Sequence, residues 1–370
     1  MSSIIDRQQF LTRGEETRKM SLVIDRRQFL TRGAQVAGGF TALGAIAACG
    51  KSSPTTQATG KGNGGLTTAS LQLLWIFNVQ FAGSYIAETR GYYRDAGVDV
   101  NLLPGGVTVT PEPVIESGKA LVGISSPSLT GAAVNQGADL KIIGAGYQRN
   151  PDCLISLARK PITTPQEVVG KRIGVQANIA SVWDAFVTVN NLKGKFTQVP
   201  AQADPAPLAA GEIDGYVGFY TNEANILRVR GVPVHTLLFN DYGLPTLYET
   251  YAAPSSALQD PAQRKAIKGI LTGEIRGWQD QVSDPSIGVN LALNDFGKKL
   301  GLDAKQQQLQ AQTQNYLIVS PATKQHGLFW MTPEAIAQSV ETLARSQTTV
   351  KPSLFDNSLL AEIYNGRNRI

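Results

Sequence analysis

Cysteine and histidine are nearly absent from this 370-residue chain, with two of each. His235 and His326 lie far apart and have no ligand-spaced companions, which argues against a histidine-based metal site. Cys153 falls inside the apolar run 153–158 and reads as a small buried core residue. Cys49 has another use, given below, so no disulfide is expected. A charge of one sign is also missing. The net +5 is concentrated at the start: residues 1–48 hold seven basic and four acidic side chains, leaving 27 against 25 in the rest. That balance gives no reason to expect nucleic acid as a partner. The apolar run 33–48 is short and built from small residues, a poor membrane span. With 42% hydrophobic and 17% charged residues, the composition is that of a soluble globular protein, and the length suggests two or three lobes.

What is present begins with an export segment. Asp25-Arg26-Arg27-Gln28-Phe29-Leu30 is a twin-arginine signature. The weak apolar run follows, then Ile46-Ala47-Ala48-Cys49, a lipobox in which cleavage exposes the cysteine for lipid attachment. The three parts in this order outweigh a buried N-terminal helix with a chance cysteine. One acyl chain binds a bilayer only marginally, whereas two or more anchor it stably. The expectation is a signal peptide over 1–48, lipidation at Cys49, and residence on the outer face of the cytoplasmic membrane or in the periplasm. Residues 1–14 repeat as 20–33, with Gln8 standing where the second copy has Arg27. Translation could therefore start at Met1 or Met20. Residues 45–52 match a relaxed phosphate-loop pattern, but no strand precedes them and cleavage would cut them. The Gly/Ser/Thr/Lys-rich stretch 49–68 reads as a flexible tether.

The folded body is organised around residues 71–106. Residues 71–75 predict a buried strand, Asn78 a helix cap, and Phe81, Ala82, Tyr85 and Ile86 a helix. Gly91 and Gly97 punctuate its end, and 98–103 predicts a second strand. This is a β-α-β unit with parallel strands, and open α/β sheets place ligands at the ends of such strands. A helix over 111–119, strands over 121–124, 140–145 and 153–158, and a strand at Gly170-Lys171-Arg172-Ile173-Gly174-Val175 follow. Ser125 and Ser126 read equally as helix caps and as ligand contacts. Gln148 can donate and accept at a heterocycle edge. Ser181 opens a helix in which Trp183 reads as core. Tyr220, Asn222 and Glu223 sit between a strand and a helix. Capping and dipole complementation would explain the last two, but a carboxylate also accepts the paired donors of an aminopyrimidine. Residues 248–252 return the chain to the first lobe. Helices are predicted over 262–281, 285–300, 304–314, 333–345 and 358–364.

The ordered series Trp75, Asn78, Gln80-Phe81-Ala82-Gly83, Tyr85, Gly91-Tyr92-Tyr93, Ala96-Gly97-Val98-Asp99-Val100 and Pro104-Gly105-Gly106 resembles the opening of substrate-binding proteins of ABC importers. The branch resembled is the one named for thiamine pyrimidine precursors. Gly170–Val175, Asn222-Glu223 and Asp241-Tyr242-Gly243 agree with it. The resemblance implies an α/β, type II periplasmic-binding-protein-like fold of two lobes joined by two crossing segments, with the ligand in the cleft between them. Lobe 1 is expected over 69–158 plus 253–370, and lobe 2 over 159–252. The implied site comprises Trp75, Asn78, Phe81, Tyr85, Ser125, Ser126, Gln148, Ser181, Tyr220, Asn222, Glu223 and Tyr242, the last closing over the cleft. The implied partners are a small molecule, a membrane permease and, through Cys49, the bilayer. A monomer without cofactor or metal is expected. A planar nitrogen heterocycle leads; a sulfonate- or nitrate-type anion or another heterocycle is second. The family name also covers fungal enzymes that make the thiamine pyrimidine. Those use a histidine where Phe81 stands and a cysteine-rich motif that this chain lacks, so no catalysis is expected. Phe77 stands where the family usually has proline.

Overall fold

The computed structural model describes residues 60–61, 65–106 and 108–370. The export segment and Cys49 lie outside the described residues. The first strands are β1 (Gly60–Lys61), β2 (Thr67–Gln72) and β3 (Val98–Leu103). Then come β4 (Val122–Ser125), β5 (Leu140–Tyr147) and β6 (Asp152–Leu157). They are followed by β7 (Arg172–Gln176), β8 (Thr197–Ala201) and β9 (Gly215–Phe219), and finally β10 (Val234–Leu238) and β11 (Tyr248–Pro254). The strand expected at 71–75 begins earlier, because Ala69 and Leu71 alternate inward and β2 pairs in parallel with β3 from Thr67 onward. Thr67 and Thr68, read as the end of the tether, are therefore sheet residues, and β1 pairs antiparallel with them.

Two sheets result. One runs β1-β2-β4-β11-β5 with β3 also on β2; the other runs β10-β6-β9-β7-β8. Each contains one strand delivered from the other sheet. β11 is antiparallel to β4 and β5, and β6 is antiparallel to β9 and β10. A strand arriving from the far lobe enters at the end where the parallel strands finish. The carboxyl ends of the parallel strands in both sheets therefore face the two crossing segments, 148–151 and 239–247. Both crossing points fall a few residues from the expected lobe bounds. Residues 152–157, inside the expected bounds of lobe 1, form a strand of the second sheet, and 248–252, read as the return to the first lobe though bounded with lobe 2, lie in the first sheet.

The first sheet is covered by the helices Ala82–Thr89 and Pro261–Ser283. They approach closely because glycines face each other. A Cβ on Gly277 would lie 2.0 Å from the Gly83 carbonyl oxygen. Asp260 caps the longer helix by accepting from the Gln263 amide at 2.8 Å. On that helix's inner face, Glu274 is buried and accepts from the hydroxyls of Tyr93 and Tyr251. The second lobe packs around Trp183, fully buried as expected, with Phe186 stacked at 5.4 Å and Phe239 stacked on Phe186 at 4.3 Å. Cys153 is fully buried. The helix Ala304–Ile318 does more than cover the first sheet, because it also touches the second lobe's helix Glu223–Val229.

Candidate functional site

Asn78 has an extended backbone, and its side-chain oxygen accepts from the Gln80 amide at 2.9 Å, opening the 3-10 turn Val79–Phe81 before the helix Ala82–Thr89. That turn is fixed from the far end of the chain. The Val79 amide donates to Gln307 Oε1 at 2.7 Å, and Gln314 Nε2 donates to the Val79 carbonyl at 3.3 Å. Gln307 donates to Gln306, and Gln306 Nε2 donates across to Asn222 Oδ1 of the second lobe at 3.3 Å. Asn225 Nδ2 adds a second bond between the lobes, to Thr313 Oγ1 at 2.9 Å. Two glutamines thus link the Asn78 turn to Asn222.

The rest of the ring is acidic. Glu223 is 6% exposed; one oxygen accepts from the Phe219 amide at 2.8 Å and the other from Gln176 Nε2 at 3.2 Å. Gly218 leaves room for it, since a Cβ there would stand 3.1 Å from Glu223 Oε2. Burial pushes the Glu223 carboxyl above its ordinary value against these bonds. Asp152 pairs directly with Phe219 across β6 and β9, so their side chains share a face. It is 3% exposed, and burial followed by the nearby Glu223 charge raises its carboxyl to about 7. Phe219 meets Tyr248 edge to face at 5.6 Å. Beside Tyr248, Glu249 takes a left-handed backbone, φ 46°, uncommon for a residue with a Cβ. The absence of a side chain at Gly146 permits it, since a Cβ there would be 3.1 Å from the Glu249 carbonyl. Glu249 accepts from Gln80 Nε2, next to Asn78, and burial raises its carboxyl to about 8. Hydrogen bonds, ring packing, strand pairing and chain adjacency, with proximity of charge between Asp152 and Glu223, thus link Asn78 through Gln80, Glu249, Tyr248, Phe219, Asp152, Glu223 and Asn222 back to the Gln306–Gln307 pair.

Of the residues singled out from sequence, Asn78, Asn222 and Glu223 lie on this ring, and Tyr220 adjoins it, 6.0 Å from Tyr316 of the first lobe. Asn222 does not cap its helix with its side chain. Trp75 is half-buried against the first lobe's core, three residues before Asn78. Others lie elsewhere. Phe81 and Tyr85 are completely buried in the core, where Tyr85 stacks on Phe296 at 4.3 Å and donates to the Asn78 carbonyl at 2.9 Å. Helical periodicity turned both rings inward, so they are packing rather than open faces. Ser125 turns inward to Glu112, and Ser126 caps the helix Pro127–Asn135 through the Leu129 amide at 3.3 Å. Gln148 Nε2 donates to the Ala145 carbonyl at 3.0 Å, and the residue borders a cavity of about 330 Å³ with Arg149, Asn240 and Ser320, which no residue of the ring lines. Ser181 is exposed. Tyr242, expected to close the cleft, donates to the Thr163 carbonyl of its own lobe at 3.0 Å and packs on the Trp183 cluster.

Sequence reasoning missed Asp152, Glu249, Gln80, Gln176 and Gln306. A signal existed for the first two. Each is a lone acid beside an otherwise apolar run bound for the interior, and buried acids without partners are rare. The amides carry no such mark.

A frame of two lobes with a polar seam at the carboxyl ends of both sheets is that of the type II periplasmic binding proteins. The periplasmic aliphatic sulphonate binding protein SsuA of Escherichia coli shares the fold, with a TM-score of 0.57 at 14% identity over 75% of this chain and 90% of that one. A model of the NMT1/THI5-like family matches residues 78–287. That is more than half of the chain, and the chain belongs to this family. Riboflavin-binding protein RibY of Chloroflexus aurantiacus is 28% identical, covering 67% of this chain and 74% of the relative. The formylaminopyrimidine-binding protein of Halalkalibacterium halodurans is 23% identical over 62% and 71% of the two chains. A shorter match, 30% identical over 36% of this chain and 40% of the relative, is to 4-amino-5-hydroxymethyl-2-methylpyrimidine phosphate synthase of Schizosaccharomyces pombe.

Proposed function

We propose that this chain is the solute-binding component of an ABC importer, and that it captures a planar nitrogen heterocycle between its lobes and passes it on unchanged. The observation that carries the ligand class is the character of the seam. Three buried carboxylates, Asp152, Glu223 and Glu249, border it, and none is ion-paired among the described residues. Ionised, such a wall accepts hydrogen bonds and repels a sulfonate or nitrate, and N–H donors on a ligand favour that ionised form against the burial that raises these carboxyls. Phe219, Tyr220 and Tyr248 supply aromatic surface beside it, and a stack is worth about 0.5–1.5 kcal/mol beyond area burial. The relatives named for riboflavin and formylaminopyrimidine support the same class. A ligand touching both lobes is gripped fully only when they are closed, and so shifts the population toward closure.

The test is a thermal-shift and calorimetric screen of the purified protein against riboflavin, aminopyrimidines, thiamine, alkanesulfonates and nitrate. A ligand that binds only the native state at a hundredfold excess over Kd adds about 2.7 kcal/mol, so one class should raise Tm by several degrees. Stabilisation by sulfonates alone would overturn the heterocycle reading. Turnover of a bound pyrimidine or its precursors would overturn the transport reading.

A further inference from the structure

We infer that Asp152 is a second ligand-binding carboxylate, which accepts a hydrogen bond from a donor on the ligand other than the one Glu223 takes. The inference deepens the proposed function and rests on it. It sets the substrate class as a heterocycle carrying at least two separate N–H or O–H donors, one on the ring edge and one on a substituent.

The argument is one of unmet valence. Glu223 is already half satisfied, by the Phe219 amide and Gln176, and Glu249 holds Gln80. Asp152 is buried, yet among the described residues no hydrogen bond to its carboxylate is found; outside the strand ladder, its backbone amide donates to Asn150 Oδ1 at 3.0 Å. Buried carboxylates without donors or cations cost free energy and are seldom kept for packing. Its position is also that of a ligand contact. It is the first residue of β6, where the crossing segment enters the second lobe, side by side with Phe219, whose ring meets Tyr248 of the first lobe.

A donor-deletion cycle tests this. The probes are 4-amino-5-hydroxymethyl-2-methylpyrimidine and its 5-methyl analogue, which lacks the hydroxyl. Riboflavin and lumiflavin, which lacks the ribityl hydroxyls, serve if the flavin is the ligand that the wild type binds. Calorimetry on the wild-type protein should show the donor-poor analogue binding about tenfold more weakly, the loss of one hydrogen bond to a charged group. Asp152→Ala, which removes the acceptor that Asn would keep, should bind the full ligand about tenfold more weakly and no longer discriminate between the two. Glu223→Gln should weaken both but keep the discrimination. Equal discrimination by wild type and Asp152→Ala would overturn the inference while leaving the proposed function standing. Failure of the wild type to bind any heterocycle would instead remove the proposed function and this inference with it.

Discussion

Residues at the seam are placed at a cost to stability. Asp152 titrates near 7 and Glu249 near 8, both raised chiefly by burial. An acid with a raised folded-state value favours the folded protein only while protonated. Its contribution is complete below the unfolded value, about 4, and is lost as pH rises through 7 to 8. The unliganded protein should therefore lose Tm between pH 5 and pH 8, from its most stable near the lower end. Asp152→Asn should flatten that decline and melt several degrees above wild type at pH 8, with little difference at pH 5. Scanning calorimetry at the two pH values checks this, and a variant less stable than wild type at pH 8 would contradict it. A substitution that stabilises while weakening binding is what a functional site, rather than a structural one, yields.

At the scale of elements, local chemistry was legible where one residue dictates backbone. The helices Pro333–Arg345 and Ser358–Tyr364 and the strand Val98–Leu103 begin and end where proline, caps and glycines predict. The Asn78 cap was readable for the same reason. Boundaries failed where pairing, not propensity, decides: β2 starts at Thr67 because β3 offers it a partner there. The face of an element failed too when two faces were both apolar, as for Tyr85. Close packing of the helices Ala82–Thr89 and Pro261–Ser283 depends on Gly277 against Gly83. Gly277→Ala would improve helix propensity by about 1 kcal/mol, but its Cβ strikes backbone, and overpacking costs roughly 1–3 kcal/mol or more. Net destabilisation is expected, read as a lower urea midpoint with an unchanged slope; a raised midpoint would show that the helices can separate cheaply.

For the whole molecule, the proposed function joins three parts: an acylated cysteine, a tether and a two-lobed body. We propose that Cys49 fastens the body to the bilayer surface, since two or more acyl chains are needed for stable anchorage. In cells fed a labelled fatty acid, wild-type protein should carry label and sediment with membranes, while Cys49→Ser should do neither and keep its ligand affinity. Label on the variant would place the anchor elsewhere.

The amino-acid order alone determined the β-α-β opening and most of the strands and helices after it, because these follow from patterns spanning a few neighbours; the two-lobed plan and the weight on Asn222–Glu223 came through the family resemblance, and the strands Thr197–Ala201 and Val234–Leu238 carried no such pattern. Only the tertiary structure decided which polar groups share the seam. Gln80 meets Glu249 across 169 positions and Gln306 meets Asn222 across 84, and Asp152 stands out only once β9 lies beside it. A lone glutamine or aspartate looks like any surface residue until strand pairing removes it from water, and that removal is what gives its unfilled hydrogen bonds their meaning.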